Sequence, residues 1–561
     1  MAAKGSSIGG FAPAAWLAIA GLIVVVAIPF VAVVLQGIFP NLGQGSLAGP
    51  FSSFVTTLGD SALIGMAGNT ILLGFCVVVA SALVAVPLGV FRALYRIPFA
   101  SVWDVLLLVP FMIPPYIATL GWIMTLQPRG YLQQLLGFNL APFLFSLPGM
   151  TLVMTFNTFP VVYFAVSRTV EAVGARYADV GRVFGATPAK AFWRITLPLS
   201  APGLAASLML VFAAAIEEYG TPAALGRRAG FQVLVTGIDL RITDWPIDLP
   251  GAAILSILLV AMSLATFLLQ RWILARRSYQ TVSGKPMAKD KRPLGSMQLP
   301  VLAAFAVVAF LATGVPLLAI LATALSRTIS GGLALDNISL NNFMLVFSGE
   351  ADALVALGNS FSLGIASAII TGLIGVTAAY TVVKTKIRGR LAIDSMTILP
   401  NALPGIVVAV GLILAWNMPW LPVTPYNTGF ILLLAYCCIL LPQPVRYATA
   451  AFQQIGDNLE AAARVFGASG VTAFRRILLP LVFPSLASSM LLVFALASRE
   501  LVASVVVAPV GMQTIATFIW RQFEQGSIGL GMAMAFIAIV ITTLLPLLLL
   551  TLLRRSGLVA E

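Results

Sequence analysis

Histidine is absent from this chain, cysteine occurs three times in 561 residues, and charged residues make up only 9% of the total. The lack of histidine removes the commonest metal ligand and the commonest general base, which excludes a histidine-based zinc or catalytic site. Cys76, Cys437 and Cys438 lie inside apolar runs without the spacing of a zinc site or redox pair. We interpret them as buried small hydrophobic residues.

A phosphate-binding loop of the form Gly-x-x-x-x-Gly-Lys-Ser/Thr is also missing. The nearest match, Gly284-Lys285-Pro286, lacks both the first glycine and the hydroxyl residue. If ATP drives the function of this chain, a different chain must hydrolyse it. No nucleophile and base form a recognisable pattern either, so we predict a protein without catalytic residues rather than an intramembrane enzyme.

Apolar residues are what the sequence has in abundance, at 60% of the total with a mean hydropathy of +1.02. A soluble fold of this composition would lack polar surface, whereas a helix that crosses a bilayer needs about 20 apolar residues. The first apolar run follows Lys4 and is too long for a signal peptide. Windows of helix length predict twelve spans, at 14–36, 62–91, 102–126, 143–167, 197–218, 251–274, 299–325, 356–383, 391–416, 428–448, 479–500 and 528–553.

The net charge of +13 is spread over short loops, which favours membrane orientation over nucleic-acid binding as its explanation. With the N-terminus in the cytoplasm, 25 of the 32 Lys and Arg residues lie on the cytoplasmic side and six outside, while Arg499 falls within a span. The positive-inside rule therefore predicts that both termini are cytoplasmic.

The chain repeats itself on either side of a basic linker at 275–298, which separates a first half at 1–274 from a second half at 299–561. The shared features, first at an offset of 290 residues and then of 282, are Gly68-Asn69-Thr70 with Gly358-Asn359-Ser360, Pro110 and Pro114 with Pro400 and Pro404, Arg182-Val-Phe-Gly-Ala186 with Arg464-Val-Phe-Gly-Ala468, and Pro202 with Pro484. Because each half has an even number of spans, both repeats enter the membrane in the same sense. The predicted fold is an all-α polytopic membrane protein with twelve transmembrane helices in two pseudo-symmetric six-helix halves.

The segments between the fourth and fifth spans of each half resemble the "EAA" loop of ABC importer permeases, which reads Glu-Ala-Ala, three residues, Gly and then Ile-x-Leu-Pro. The second half reads Glu460-Ala-Ala-Ala-Arg-Val-Phe-Gly467 and ends at Ile477-Leu-Leu-Pro480. The first half departs from the pattern with Asp179-Val-Gly181 in place of Glu-Ala-Ala, and Glu460 lies one residue early. The glycine-to-proline part is intact in both halves.

This resemblance implies a type I ABC importer permease, in which each loop forms a coupling helix that docks on an ATP-binding subunit. We call 178–198 and 460–480 the first and second coupling segments. Alanine before the glycine favours a short helix, and glycine is suited to ending it. The residues that the resemblance assigns to coupling are Asp179, Arg182, Gly185, Ala186, Glu460, Ala461, Ala462, Arg464, Gly467 and Ala468.

The fused two-half arrangement is similar to the group that includes bacterial iron(III) permeases of the inner membrane. This similarity implies two partner subunits that bind ATP and Mg at the cytoplasmic face, and a periplasmic or lipid-anchored binding protein that meets the loops 219–250 and 501–527. Thiamine, phosphonate, a polyamine or a sugar phosphate are alternative cargoes. An ion-coupled secondary transporter, which needs no ATPase, is the alternative from another class.

Four charged residues lie near the outer ends of the fifth and eleventh spans, namely Glu217, Glu218, Arg499 and Glu500. Charges inside a membrane are costly, so such groups usually face a partner or a wet pathway. One interpretation places them on the substrate pathway, where carboxylates suit a hard cation. In the other interpretation Arg499 neutralises one glutamate, and the cluster is a structural gate or lies at an interface. Asn69 and Asn359 are better explained by helix packing, and no metal site is assigned.

Overall fold

The computed structural model describes residues 12–276, 291–349, 352–418 and 421–555. Within these ranges it describes the backbone alone at 12–13, 173–182, 188–189, 276, 457, 547, 550 and 553–555. The regular secondary structure of the described chain is helical apart from two very short strands.

The helices of the first half cover most of its length because apolar runs rich in leucine, valine and alanine dominate the sequence, and a helix satisfies every backbone polar group within the membrane. In chain order they are α1 (Ala12–Leu22), α2 (Ile28–Ile38), α3 (Ser52–Leu58), α4 (Ser61–Leu94), α5 (Ala100–Met112), α6 (Pro115–Leu126), α7 (Tyr131–Leu136), α8 (Ala141–Leu144), α9 (Leu147–Val183), α10 (Pro188–Ala191), α11 (Leu197–Glu217), α12 (Arg227–Ala229), α13 (Leu234–Thr243) and α14 (Leu249–Arg276).

The second half follows a similar order, but three helices take the place of the continuous α9. Its helices are α15 (Gln298–Ala309), α16 (Val315–Ala324), α17 (Asn341–Phe347), α18 (Ala353–Lys384), α19 (Arg390–Ile398), α20 (Gly405–Trp416), α21 (Gly429–Leu440), α22 (Pro442–Gln454), α23 (Asp457–Val465), α24 (Gly470–Ala473), α25 (Leu479–Ala497), α26 (Val502–Val507), α27 (Ile515–Glu524) and α28 (Ile528–Arg555).

Shorter elements complete the backbone. The strands β1 (Tyr95–Arg96) and β2 (Arg292–Pro293) pair in parallel. Single π-helical turns lie at Ile23–Ala27, Phe192–Thr196, Pro222–Gly226, Phe310–Gly314 and Phe474–Leu478, and 3₁₀ turns at Leu42–Gln44, Gly295–Met297, Leu335–Asn337 and Leu399–Ala402.

Nine helices of the described chain are long and apolar enough to cross a membrane, and three bent pairs raise the number to twelve. The predicted number of spans is thereby confirmed, and the spans predicted at 102–126, 391–416 and 428–448 are the three bent pairs. These spans bend by 96°, 114° and 44°. In the first two, Ile113 and Leu403 are extended, with ψ of 128° and 107°, because each precedes a proline.

The described chain divides into two compact units, and the first span of each half belongs to the unit that contains most of the other half. Unit 1 comprises 1–59, 238–260 and 341–561, and unit 2 comprises 60–237 and 261–340. The boundaries 1–274, 275–298 and 299–561 describe the sequence repeat and stay a prediction. The compact units are not these sequence halves.

Close backbone contacts explain why each first span packs where it does. In unit 1, a Cβ on Gly411 of α20 would lie 2.5 Å from the carbonyl oxygen of Pro29 in α2. In unit 2, a Cβ on Gly121 of α6 would lie 2.8 Å from the carbonyl oxygen of Pro316 in α16. Any side chain at either glycine would separate the helices, so both crossings depend on glycine.

Candidate coupling segments and pathway residues

The second coupling segment forms a helix, a glycine turn and a second helix, as the sequence predicts. Helix α23 ends at Val465, and Gly467 follows with a left-handed φ of +83°. The Ser469 hydroxyl then accepts a hydrogen bond from the Thr472 N–H at 3.2 Å and caps α24. A π-helical turn at Phe474–Leu478 joins α24 directly to α25. The segment is thus one nearly unbroken helical path into the span.

The first coupling segment has the same turn on a different stem. Gly185 has a φ of +86°, α10 follows, and a π-helical turn at Phe192–Thr196 leads into α11. Its stem is α9 itself, which runs without a break from Leu147 to Val183. The side chains of Asp179 and Arg182 lie outside the described residues, so their predicted contacts stay predictions.

Glu460 connects the second coupling segment to α18, although it lies one residue early in the family pattern. Its carboxylate accepts a hydrogen bond from Arg464 Nη2 at 2.6 Å and one from the Tyr380 hydroxyl at 3.4 Å. The hydrogen bond to Glu460 raises the pKa of Arg464, which therefore stays charged. Glu460 is half-buried and Arg464 exposed, so the pair lies at the edge of the helix contact.

Aromatic packing also holds the second coupling segment against α18 and α22. Tyr380 lies edge-on to Phe452 and Phe474, with ring centroids 5.9 and 5.0 Å apart. These rings share a buried cluster with Leu478 and Val482 at the start of α25. A displacement of the coupling segment would therefore be passed to α18 and α25 through closely packed side chains.

The tip of each coupling segment exposes an apolar pair that the sequence analysis missed. Val183 and Phe184 are 84% and 85% exposed, and Val465 and Phe466 are 84% and 91% exposed. Ala461 and Ala462 are exposed beside the second tip, whereas Ala186 and Ala468 are half-buried. The signal was present in the repeated Arg-Val-Phe-Gly-Ala sequence, where two large apolar residues directly precede a glycine turn. Exposed apolar patches of this kind are typical of protein interfaces.

Glu218 and Glu500 perform the same structural task at equivalent positions. The two carboxylate oxygens of Glu218 accept the Thr221 N–H at 3.1 and 3.0 Å. Those of Glu500 accept the N–H groups of Ala503 and Ser504, each at 3.2 Å. A carboxylate at the start of a helical stretch satisfies free N–H groups and favours the helix dipole. This geometry favours the structural interpretation for these two glutamates.

Glu217 and Arg499 share a repeat position but carry opposite charge. Glu217 is the last residue of α11, in unit 2, and its Oε1 is buried without a hydrogen-bond partner among the described residues. Arg499 follows the end of α25, in unit 1. Among the described residues, no group of three or more Cys, Asp or Glu side chains is arranged to hold a metal ion.

Asn69 and Asn359 hold matching loops to the second span of each half. The side-chain amide of Asn69 donates to the Gln232 carbonyl at 2.9 Å, and that of Asn359 donates to the Gln513 carbonyl at 2.9 Å. The next residues, Thr70 and Ser360, accept backbone N–H bonds from the same loops. The two amides are therefore used in packing, as the sequence analysis favours.

Comparison with known proteins agrees with this geometry. The family described as "Binding-protein-dependent transport system inner membrane component" matches residues 85–279 and 371–556, with one copy in each half. The chain is 26% identical over 497 residues to the ferric transport system permease protein FbpB of Actinobacillus pleuropneumoniae, covering 87% of this chain and 71% of the relative.

Two further relatives carry different names. A putative ferric transport system permease protein of Haemophilus influenzae is 27% identical over 404 residues, or 70% of this chain and 62% of the relative. A putative 2-aminoethylphosphonate transport system permease protein of Salmonella paratyphi A is 28% identical over 243 residues, or 43% of this chain and 89% of the relative. The chain therefore belongs to the family of binding-protein-dependent transport system inner membrane components, as an ABC importer permease with two fused copies of the family domain.

Proposed function

We propose that this permease imports iron(III) and is driven by two separate ATP-binding subunits, one docked on each coupling segment. The observation that carries the proposal is the exposed Val-Phe pair at both tips, at matched repeat positions of the two coupling segments. An apolar pair that is nearly fully exposed is costly in water and becomes favourable when a partner covers it.

The helical path from tip to span explains how such a partner would move cargo. When ATP and Mg bind, the ATP-binding subunits close and displace the tips. The second segment passes this displacement through α24 and the π-helical turn into α25, while Tyr380 couples it to α18. Packed helices move as units rather than deform, so the displacement becomes a rearrangement of spans. The outcome is access that alternates between the two sides of the membrane.

Iron(III) is the proposed cargo because of the relatives' names and the donor chemistry. Two relatives that match much of the chain are named ferric transport permeases. Carboxylate oxygen suits a hard cation, and Glu217 has a buried oxygen with no hydrogen-bond partner among the described residues. The 2-aminoethylphosphonate permease matches less than half of the chain, so a phosphonate is the second candidate.

A binding protein is proposed to deliver the cargo at the end of the spans opposite the coupling segments. The loop 219–250 presents Arg227 and Arg228 there, both exposed. Arg228 stacks on Phe145 at 5.1 Å, which holds its guanidinium in place for an acidic partner surface. With the coupling segments in the cytoplasm, this delivery side is the periplasm, as the charge distribution of the loops predicts.

Uptake of radioactive iron(III) by cells that lack and then regain this chain tests the proposal. We expect uptake to return with the chain, to stop on ATP depletion and to resist excess thiamine, polyamine or sugar phosphate. Competition by 2-aminoethylphosphonate would instead support the second cargo. Uptake that survives ATP depletion but stops with a proton uncoupler would contradict ATP-driven import and indicate a secondary transporter.

A further inference from the structure

Lys291, in the C-terminal part of the linker, caps the last turn of α4. Its Nζ donates to the Arg92 carbonyl at 3.0 Å. The last carbonyl groups of a helix lack partners within the helix, and a lysine there also favours the helix dipole. The residues next to this contact pair as β1 and β2, so the end of the linker is held against the chain that leaves α4.

The same ammonium group reaches α9. Lys291 Nζ lies 3.2 Å from Glu171 Oε1, with the two side chains 26% and 54% exposed. Glu171 lies twelve residues before the end of α9 at Val183, or about 18 Å along the helix. Since α9 continues without a break into the first coupling segment, Lys291 contacts the stem of that segment.

Beside Lys291, a partly buried network of hydrogen bonds joins α4 and α9 to α5. Arg92 donates to both oxygens of Asp104, with the shortest distance at 2.7 Å, and the Tyr163 hydroxyl donates to Asp104 at 2.7 Å. These residues come from α4, α5 and α9. Lys291 therefore adds to a polar junction that already aligns the three helices.

In the second half, a different lysine makes a comparable contact. Lys384, the last residue of α18, donates to the carbonyl of Ile455, two residues before α23, at 2.6 Å. The repeat places Leu94 at the position of Lys384, and Val445 and Gln453 at those of Tyr163 and Glu171. Each half thus has one lysine between its second span and the stem of its coupling segment, but in the first half the linker supplies it.

We propose that Lys291 is a positioning residue for energy coupling, which fixes the stem of the first coupling segment as Lys384 fixes that of the second. The inference rests on the proposed function, because it concerns how an ATPase moves the spans. A single exposed ion pair contributes little to stability. Lys291, however, contacts both α4 and α9. Its loss therefore changes how closely α9 moves together with α4.

The test uses the complete transporter, reconstituted with its ATP-binding subunits and binding protein, and compares Lys291→Gln, Lys384→Gln and the control Lys386→Gln. Lys386 is an exposed lysine near Lys384. We expect each of the first two substitutions to lower binding-protein-stimulated ATPase activity and iron(III) uptake by about three-fold or more while basal ATPase activity is unchanged. The control variant should match the unmodified transporter.

Charge reversal separates positioning from a general folding defect. Lys291→Glu should lower stimulation further, and adding Glu171→Lys should restore part of it, because the ion pair returns while the bond to Arg92 does not. The inference would be overturned if Lys291→Gln left the stimulation unchanged. It would also be overturned if the double variant were present at normal levels but showed no recovery. Either result would leave the proposed function intact. If the unmodified transporter showed no stimulation, the proposed function would fail and the inference with it.

Discussion

The stems of the two coupling segments differ although their sequences repeat. In the first half α9 continues through Gly174 to Val183, whereas in the second half the chain breaks at Ile455 and Gly456 before α23. Both glycines occupy the same repeat position, so glycine does not explain the break. Ala175-Arg176 follows the first and Asp457-Asn458 the second. Alanine and arginine are good helix formers and asparagine and aspartate poor ones, so two neighbouring positions decide between one helix and two.

The largest expected effect comes from Gly467→Pro or Gly185→Pro, which would disrupt the left-handed glycine turn that both halves share. Proline fixes φ near −65°, whereas these residues have φ of +83° and +86°. The Gly467 N–H bond to the Arg464 carbonyl would also be lost. We expect uptake to be abolished and ATPase stimulation lost while the chain still inserts, as measured by membrane fractionation. Gly349→Pro, at φ +79° outside both segments, is the control, and normal uptake by Gly467→Pro would contradict the assignment.

Phe466→Ala and Phe184→Ala compare the two tips. Loss of one aromatic anchor at an interface costs about 1–3 kcal/mol, so we expect co-purification of the ATP-binding subunits to fall about five-fold or more. The conservative controls Phe466→Leu and Phe184→Leu should retain most of it. Equal effects at both tips would mean that the different stems do not affect docking, and full retention by both alanine variants would contradict docking at the tips.

Substitution of the three glutamates tests whether helix capping and contact with the cargo are separate roles. Replacing Glu218 and Glu500 together with Gln should lower the unfolding temperature in detergent, because each cap is worth about 1 kcal/mol, and should impair iron(III) uptake without loss of assembly. Glu217→Gln should lower uptake and leave the unfolding temperature nearly unchanged, because its buried Oε1 has no hydrogen-bond partner among the described residues. Unchanged transport kinetics in both variants would remove the glutamates from the pathway.

The smallest effect is expected from Tyr380→Phe, which removes a 3.4 Å hydrogen bond to Glu460 and keeps the aromatic packing. Such a long bond contributes at most about 0.5 kcal/mol, so uptake should fall less than about two-fold. Tyr380→Ala should lower uptake more, because it also opens the cluster with Phe474. The first half has Val90 at this position, and Val90→Ala is the matched control.

The sequence predicted those features that a local pattern encodes. Hydropathy located the spans, and the repeat with its glycines predicted the left-handed turns at Gly185 and Gly467. Proline can kink a helix, but a bend of 96° or 114° depends on what each half-span packs against. The caps by Glu218 and Glu500 require knowing that the chain turns just after each glutamate, which hydropathy does not report. Exposure of Phe184 and Phe466 is also a tertiary property.

The first span of each half belongs to the unit that contains most of the other half, and this has a consequence for biosynthesis. Unit 2 requires residues up to 340, so ribosomes must translate past the junction before it is complete, and unit 1 awaits the final helix. A gene cut between the halves would thus yield two fragments, neither of which encodes a whole compact unit. Such fragments would complement each other when made together and be degraded when made alone.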